Sequence, residues 1–279
     1  MAIKIVTDST SDIPRALQEE LGITIVPLTV HFGNEEYIDG VNLPPALFYE
    51  KLAKADKLPT TSQIPVGKFM EVFDELSKNG DEVLGIFISS KLSGTFQSAL
   101  IAKQTLYSRK IQVVDSLTTT FALYLLVQQA VQMRDSGATL KEIVNYLENI
   151  KTKMTILAVI DNLTYLQKGG RLSTAGAAIG TLLKVKPLIT VKDGSVQMVH
   201  KVRGIKKAYE WMIEQASTLQ DKLQQAIACG SSNSPEMLSE FVTLAREKLD
   251  MTHVLKVDIG IIVGTHAGPG CVGIAFIAR

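Results

Sequence analysis

"EVLGIFISSKLSGTFQSALIAKQTLYSRKIQVVDS", residues 82–116, reads as strand, helix and strand in one pass. Its first run is continuous and apolar, as in a strand buried on both faces. The middle carries apolar residues at helical spacing, and "IQVVDS" closes the unit. Such a crossover joins parallel neighbours with a right-handed sense. Upstream, "IKIVTDST" (3–10) reads as another strand, with Asp12 and Pro14 marking a helix start. "ITIVPLTVHF" (23–32) reads as a second strand, and "TTSQIPVGKFMEVFDELSKNG" (60–80) as hydroxyls followed by a helix opened by Pro65 and closed at Asn79-Gly80. The alternation predicts an N-terminal α/β domain over residues 1–151 built on a parallel sheet. Ligands of such sheets bind beyond the carboxyl ends of the strands, where the hydroxyl-rich segments after "IVTDST", "IFISS" and "VVDS" fall.

After a helical stretch at 120–151 the pattern changes. "TILAVID" (155–161) is a strand, and "NLTYLQKGGRLS" (162–173) a short helix with a glycine turn. "KPLITVKDGSVQMVHKVR" (186–203) is a hairpin about Asp193-Gly194. Two late strands, "HVLKVDIGIIVGTHAGPG" (253–270) and "CVGIAFIA" (271–278), flank a glycine loop. Residues 152–279 are therefore expected to form a second α/β domain with a largely antiparallel sheet.

Twenty-nine basic and twenty-eight acidic side chains leave a formal charge of +1 in 279 residues, which offers no overall field for nucleic acid. The opening lacks the long apolar core of an export signal, and no apolar run approaches the roughly 18 residues of a spanning helix. A cytoplasmic protein is expected. Cys229 and Cys271 lie in strand-like segments and read as packing residues rather than a disulfide. His31, His200, His253 and His266 are scattered, so no metal site is expected. "KGGRLSTAGAAIG" (168–180) does not supply a phosphate-binding glycine pattern, and no cofactor is expected.

Three segments could carry chemistry. Ser93 and Gly94 fall at a helix start, where unpaired backbone N–H groups and the dipole favour a carboxylate or phosphate. The alternative is plain capping. "TTSQIP" (60–65) sets Thr60, Thr61 and Ser62 before another helix. "VGTHAGPG" (263–270) carries His266 among glycines that let backbone approach a ligand. Asp8 and Asp115 end strands, where aspartate either caps and turns the chain or orients hydroxyls at the site. Between residues 165 and 208, nine basic side chains (Lys168, Arg171, Lys184, Lys186, Lys192, Lys201, Arg203, Lys206, Lys207) face one acidic, Asp193. This is either a solvated face or a docking patch for an acidic partner or a membrane surface.

Together "IVTDSTSDIP", "TSQIP", "ISSKLSGTFQSA", "VVDS", "DNLTYLQKGGRLS" and "VGTHAGPG" resemble the DegV family, in order and approximate spacing over essentially the whole chain. The resemblance implies a bacterial fatty-acid-binding protein of two α/β domains without catalysis of its own. Members of the FakB type present a buried long-chain fatty acid to a separate ATP-dependent kinase subunit, which makes acyl-phosphate for phospholipid synthesis. Carried over by position, Thr61 and Ser93 hold the carboxylate with His266 and Arg171 nearby, and Ser62, Gly94 and Thr95 are further candidates. The basic face near 168–207 is then the place to engage the kinase. Two departures stand out: Ile64 precedes Pro65 where family members commonly have proline directly after "TSQ", and "LTTTFALYLL" (117–126) replaces small residues, so Phe121, Leu123 and Tyr124 are expected to reshape the tunnel. The competing enzyme reading is a serine hydrolase or acyltransferase using Ser93 and His266, although no nucleophile elbow frames Ser93. A sugar- or nucleotide-binding regulator is a further class that a doubly wound sheet permits.

Overall fold

The computed structural model describes residues 2–173, 185–219, 227–249, 251 and 254–278. Lys184, His253 and most of the segment 173–180 weighed above lie outside them. β1 (Ile3–Asp8) leads through a single turn to α1 (Arg15–Glu20) and β2 (Ile23–Val26). Pro27 follows at once, and having no N–H it cannot extend a ladder. The run 23–32, expected as one strand, is thus two: β3 (Thr29–Phe32) leaves the first sheet and pairs with β4 (Glu35–Ile38). α2 (Pro45–Lys54) leads to β5 (Thr60–Ser62), which pairs with β3 and completes a small antiparallel sheet, β4-β3-β5, not expected from the sequence.

α3 (Val66–Ser77), β6 (Glu82–Phe87), α4 (Thr95–Thr105) and β7 (Ile111–Asp115) follow. With β1 and β2 the strands form an all-parallel sheet in the order β2-β1-β6-β7. The order reverses between β1 and β6, which opens the crevice where such sheets bind ligands. Asp8 closes the base of that crevice: its carboxylate accepts from Thr10 N at 2.9 Å, Thr10 Oγ1 at 2.5 Å and Ile88 N at 2.8 Å. Asp115 likewise accepts from the backbone N–H groups of Ser90 and Leu117. Both aspartates hold turns.

α5 (Thr120–Asp135) and α6 (Leu140–Ile150) precede the second large sheet. α6 has one buried stripe and a capping box of Thr139 with Glu142. α5 differs, being buried at every residue from Thr120 to Val127. A helix apolar on all sides needs cover all round, and α5 gets it by lying between β1 and β6 of the parallel sheet and strands of the second sheet.

That sheet comprises β8 (Met154–Val159), β9 (Lys186–Lys192), β10 (Ser195–Val202), β11 (Ile227–Ser231), β12 (Val254–Asp258) and β13 (Val272–Ile277), in the order β10-β9-β8-β13-β11-β12. Only β11 and β12 pair parallel, so the sheet is mixed and largely antiparallel. α7 (Thr164–Lys168), α8 (Ile205–Leu219), α9 (Pro235–Ala245) and α10 (Ile261–Ala267) complete the order. α8 and α9 cover its other face through Tyr209, Met212 and Phe241. Cys229 and Cys271 are free and buried.

Leu126 sits fully buried in α5 and Tyr107 is 89 % exposed. Leu126→Ala should cost about 2–5 kcal/mol and Tyr107→Ala no more than about 0.5 kcal/mol. Urea denaturation of the two variants measures the contrast.

Candidate functional site

The polar residues singled out from the sequence come from four elements. β5 alternates in and out: Thr61 and Gln63 line a cavity, whereas Ser62 is exposed and bonds His31 Nε2 at 2.7 Å. Ser62 therefore faces away from the space that Thr61 lines. Across the cavity mouth, Thr61 Oγ1 lies 2.9 Å from His266 Nε2. His266 was expected in a loop after a long strand. It stands instead on α10, because the run after β12 turns helical at Gly260, whose N–H donates to Asp12 Oδ1 at 3.0 Å.

The imidazole is half-buried and seated against Gly169, where any Cβ would come within 2.4 Å of Nδ1. Only glycine fits beside the ring. Burial, and secondarily the Arg171 guanidinium, push the His266 pKa down to about 4, so the ring is neutral near pH 7. Nδ1 is buried without a hydrogen-bond partner among the described residues.

Arg171 also lines the cavity and donates to Leu92 O at 3.1 Å and Gly169 O at 2.5 Å. It joins the glycine turn after α7 to the loop before α4. In that loop Ser93 Oγ is 3.0 Å from Thr95 Oγ1 and accepts weakly from Thr95 N at 3.3 Å. Ser93 and Gly94 line the cavity; Thr95 is buried behind them. Thr61, Ser93, Gly94, Arg171 and His266 thus surround one opening, and Ser62 and Thr95 stand outside the lining.

The rest of the wall is apolar. Ile156, Ala158, Ile189, Val191 and Val196 form its floor on β8, β9 and β10, and Phe121 stands at the side. At about 190 Å³ the space is more than ten times what one water requires, roughly 10–15 Å³. A largely apolar cavity with a polar rim suits an amphiphile whose head stays near the surface.

Gln63 and Thr119–Thr120 line the cavity as well and were not among the expected site residues. Gln63 was detectable, since it directly follows β5 and, two residues after Thr61, falls on the same side if the extended alternation runs one residue past the strand. Its amide donates to Ser98 Oγ at 2.9 Å and lies over Gly94, where a Cβ would meet Oε1 at 1.9 Å. Thr120 Oγ1 donates to Asp12 Oδ2 at 2.5 Å. Asp12 therefore ties the start of α5 to the start of α10. Asp12 and Thr120 both have left-handed backbone, φ 52° and 50°, a strained pairing of the kind found at functional sites. Burial, then the charges of Asp39 and Asp8, hold the Asp12 carboxyl well above its usual range.

The chain matches the family described as "Uncharacterised protein, DegV family" over residues 2–279. It belongs to the DegV family. A DegV domain-containing protein of Caldanaerobacter subterraneus subsp. tengcongensis is 40% identical over 275 residues, covering 98% of both chains. A DegV family protein from Thermus thermophilus, described for its fatty acid binding, superposes with a TM-score of 0.90 at 31% identity and 100% coverage of each chain. A stearic-acid-binding protein from Eubacterium ventriosum gives 0.90 at 29% identity, covering 100% of this chain and 98% of that one. The mixed α/β fold described above is that of these DegV structures. Among the described residues no group of three or more His, Cys, Asp or Glu could hold a metal ion, and no helix is long and apolar enough to cross a membrane.

Two titrations test these electrostatics. The His266 imidazole signals should titrate near pH 4 by NMR; a midpoint at the ordinary value of about 6.5 would contradict its burial. Asp39 is raised to about 6 from 3.8 by burial, with the Asp8 charge adding to it. Its contribution to stability is complete below the unfolded value and is lost as pH rises through the folded one. Asp39→Asn should therefore gain stability over the parent above about pH 6 and show no gain below about pH 4, read by urea unfolding across that range.

Proposed function

We propose that this DegV protein acts in the cytoplasm by holding one long-chain fatty acid with its tail on the floor of β8–β10 and its carboxylate at the opening. It then presents that carboxylate to a separate ATP-dependent kinase subunit, which forms acyl-phosphate for phospholipid synthesis. The observation that carries this reading is a single cavity, apolar along one sheet, whose rim gathers Thr61, Ser93, Gly94, Arg171 and a neutral His266. The fatty-acid-binding relatives with the same fold support the ligand class.

The physics divides the work. Burial is worth about 0.8 kcal/mol per methylene, so roughly 14 of them give on the order of 11 kcal/mol before ordering costs. A hydrogen bond to a charged head adds about 1.5–3 kcal/mol. The tail then supplies affinity and the rim sets orientation. Hydroxyls and helix amides hold a carboxylate without closing over both oxygens, which leaves one open to a phosphoryl donor. Exposed Lys168, Lys192, Lys201, Arg203, Lys206 and Lys207 supply the complementary charge for an acidic kinase surface, with a membrane surface the competing partner.

The rim geometry does not favour serine catalysis. Ser93 Oγ is engaged with Thr95 and His266 Nε2 with Thr61, and no carboxylate orients Nδ1 among the described residues. A nucleophile needs its base within hydrogen-bond reach and that base oriented by a third group.

Delipidated protein loaded with a carboxyl-labelled (carbon-13) fatty acid should show one shifted, slowly exchanging carboxylate resonance. Ser93→Ala should weaken binding by about tenfold, the loss of one charge-assisted bond, and lower acyl-phosphate formation by the kinase at saturating lipid. His266→Ala should retain the lipid and lose transfer. Parental acyl-phosphate yields from both variants would remove these residues from the presenting site.

A further inference from the structure

We propose that Phe121 is the end-stop of the acyl cavity and sets the longest chain the protein holds; the proposal rests on the fatty-acid reading above. One cross-strand row of the second sheet carries the argument. Ile189 of β9 pairs with Ala158 of β8, Ala158 with Gly273 of β13, Gly273 with Gly230 of β11, and Gly230 with Val257 of β12. Directly paired residues share a face of the sheet, so side-chain height along this row falls from isoleucine through alanine to two adjacent glycines. The row is a groove.

Its first half is open: Ile189 and Ala158 line the cavity. Its second half is filled. A Cβ built on Gly230 would come within 2.5 Å of the Phe121 ring, and one on Gly273 within 2.9 Å. Phe121 is 1 % exposed, is seated on the two glycines, and is itself part of the cavity wall. The cavity ends where this ring lies down on the glycine floor. Leu123 and Tyr124, buried on the same helix, are not part of the wall. Of the three bulky residues expected to reshape the tunnel, Phe121 alone is placed to do so.

Replacing the ring by a methyl group frees a stretch of groove whose floor has no side chains. One strand spacing of about 4.8 Å accommodates roughly four more carbons of an extended chain. The experiment loads delipidated protein with a homologous series of saturated fatty acids and reads the retained acid by mass spectrometry after gel filtration, for the parent, Phe121→Ala, Phe121→Leu and Tyr124→Leu. The parent should show an upper length limit, Phe121→Ala should raise it by roughly four carbons, Phe121→Leu should raise it less, and Tyr124→Leu should leave it in place. Phe121→Leu decides the matter should the alanine variant not fold. Retention by the parent with the same limit in the folded Phe121 variants, or an equal rise in Tyr124→Leu, overturns the end-stop while leaving the fatty-acid reading intact. A folded parent that retains no acid of any length overturns that reading and the end-stop with it.

Discussion

A helix whose first two turns have no polar face holds this molecule together. α5 is buried from Thr120 to Val127 between a parallel sheet and a mostly antiparallel one, and neither sheet could leave its inner face in water. The site follows from that placement. Thr120, the first residue of α5, bonds Asp12, and Asp12 in turn accepts from Gly260 at the start of α10. α10 carries His266 to Thr61. Phe121, the second residue, fills the glycine groove that bounds the cavity. The position of one helix start thus fixes both the polar rim and one apolar wall.

Under the proposed function, the rim meets an anion it does not fully neutralise. Arg171 spends two bonds on backbone carbonyls, and burial, with its charge second, keeps His266 neutral. What remains is chiefly hydroxyls and the amide end of α4, which is long enough to have a useful dipole. Such donors can orient a carboxylate at modest energetic cost, and in the proposed complex the apolar floor supplies the greater part of the binding free energy.

The alternating strands and helices around β1, β6 and β7 were legible because buried parallel strands and amphipathic helices have distinct periods. The hairpin at Asp193-Gly194 was legible for its turn chemistry. Two elements were not. "ITIVPLTVHF" has a continuous β-rich character, and only the missing N–H of Pro27 signals that the chain changes sheets there. "GIIVGTHAG" has β-branched residues throughout its first half, yet forms α10; tertiary contacts override propensity where Asp12 receives the first N–H and Gly264 lets Tyr49 approach, a Cβ there meeting its hydroxyl at 2.4 Å. The meeting of Thr61, Ser93, Arg171 and His266 could not be read locally, since each belongs to a different element and only the fold, or the resemblance to a family, brings them together. Gln63 could have been read by carrying the two-residue period of β5 one residue past its end. The end-stop could not, because it depends on the register that sets Gly230 opposite Gly273.

The account's central claim is that the space between α5 and the β8–β10 floor holds a fatty acid, and the most direct test is mass spectrometry of an organic-solvent extract of freshly purified, folded protein. The account predicts a long-chain fatty acid in near-equimolar amount. Folded protein that yields none, and that takes up none when offered a range of acyl chains, would contradict it.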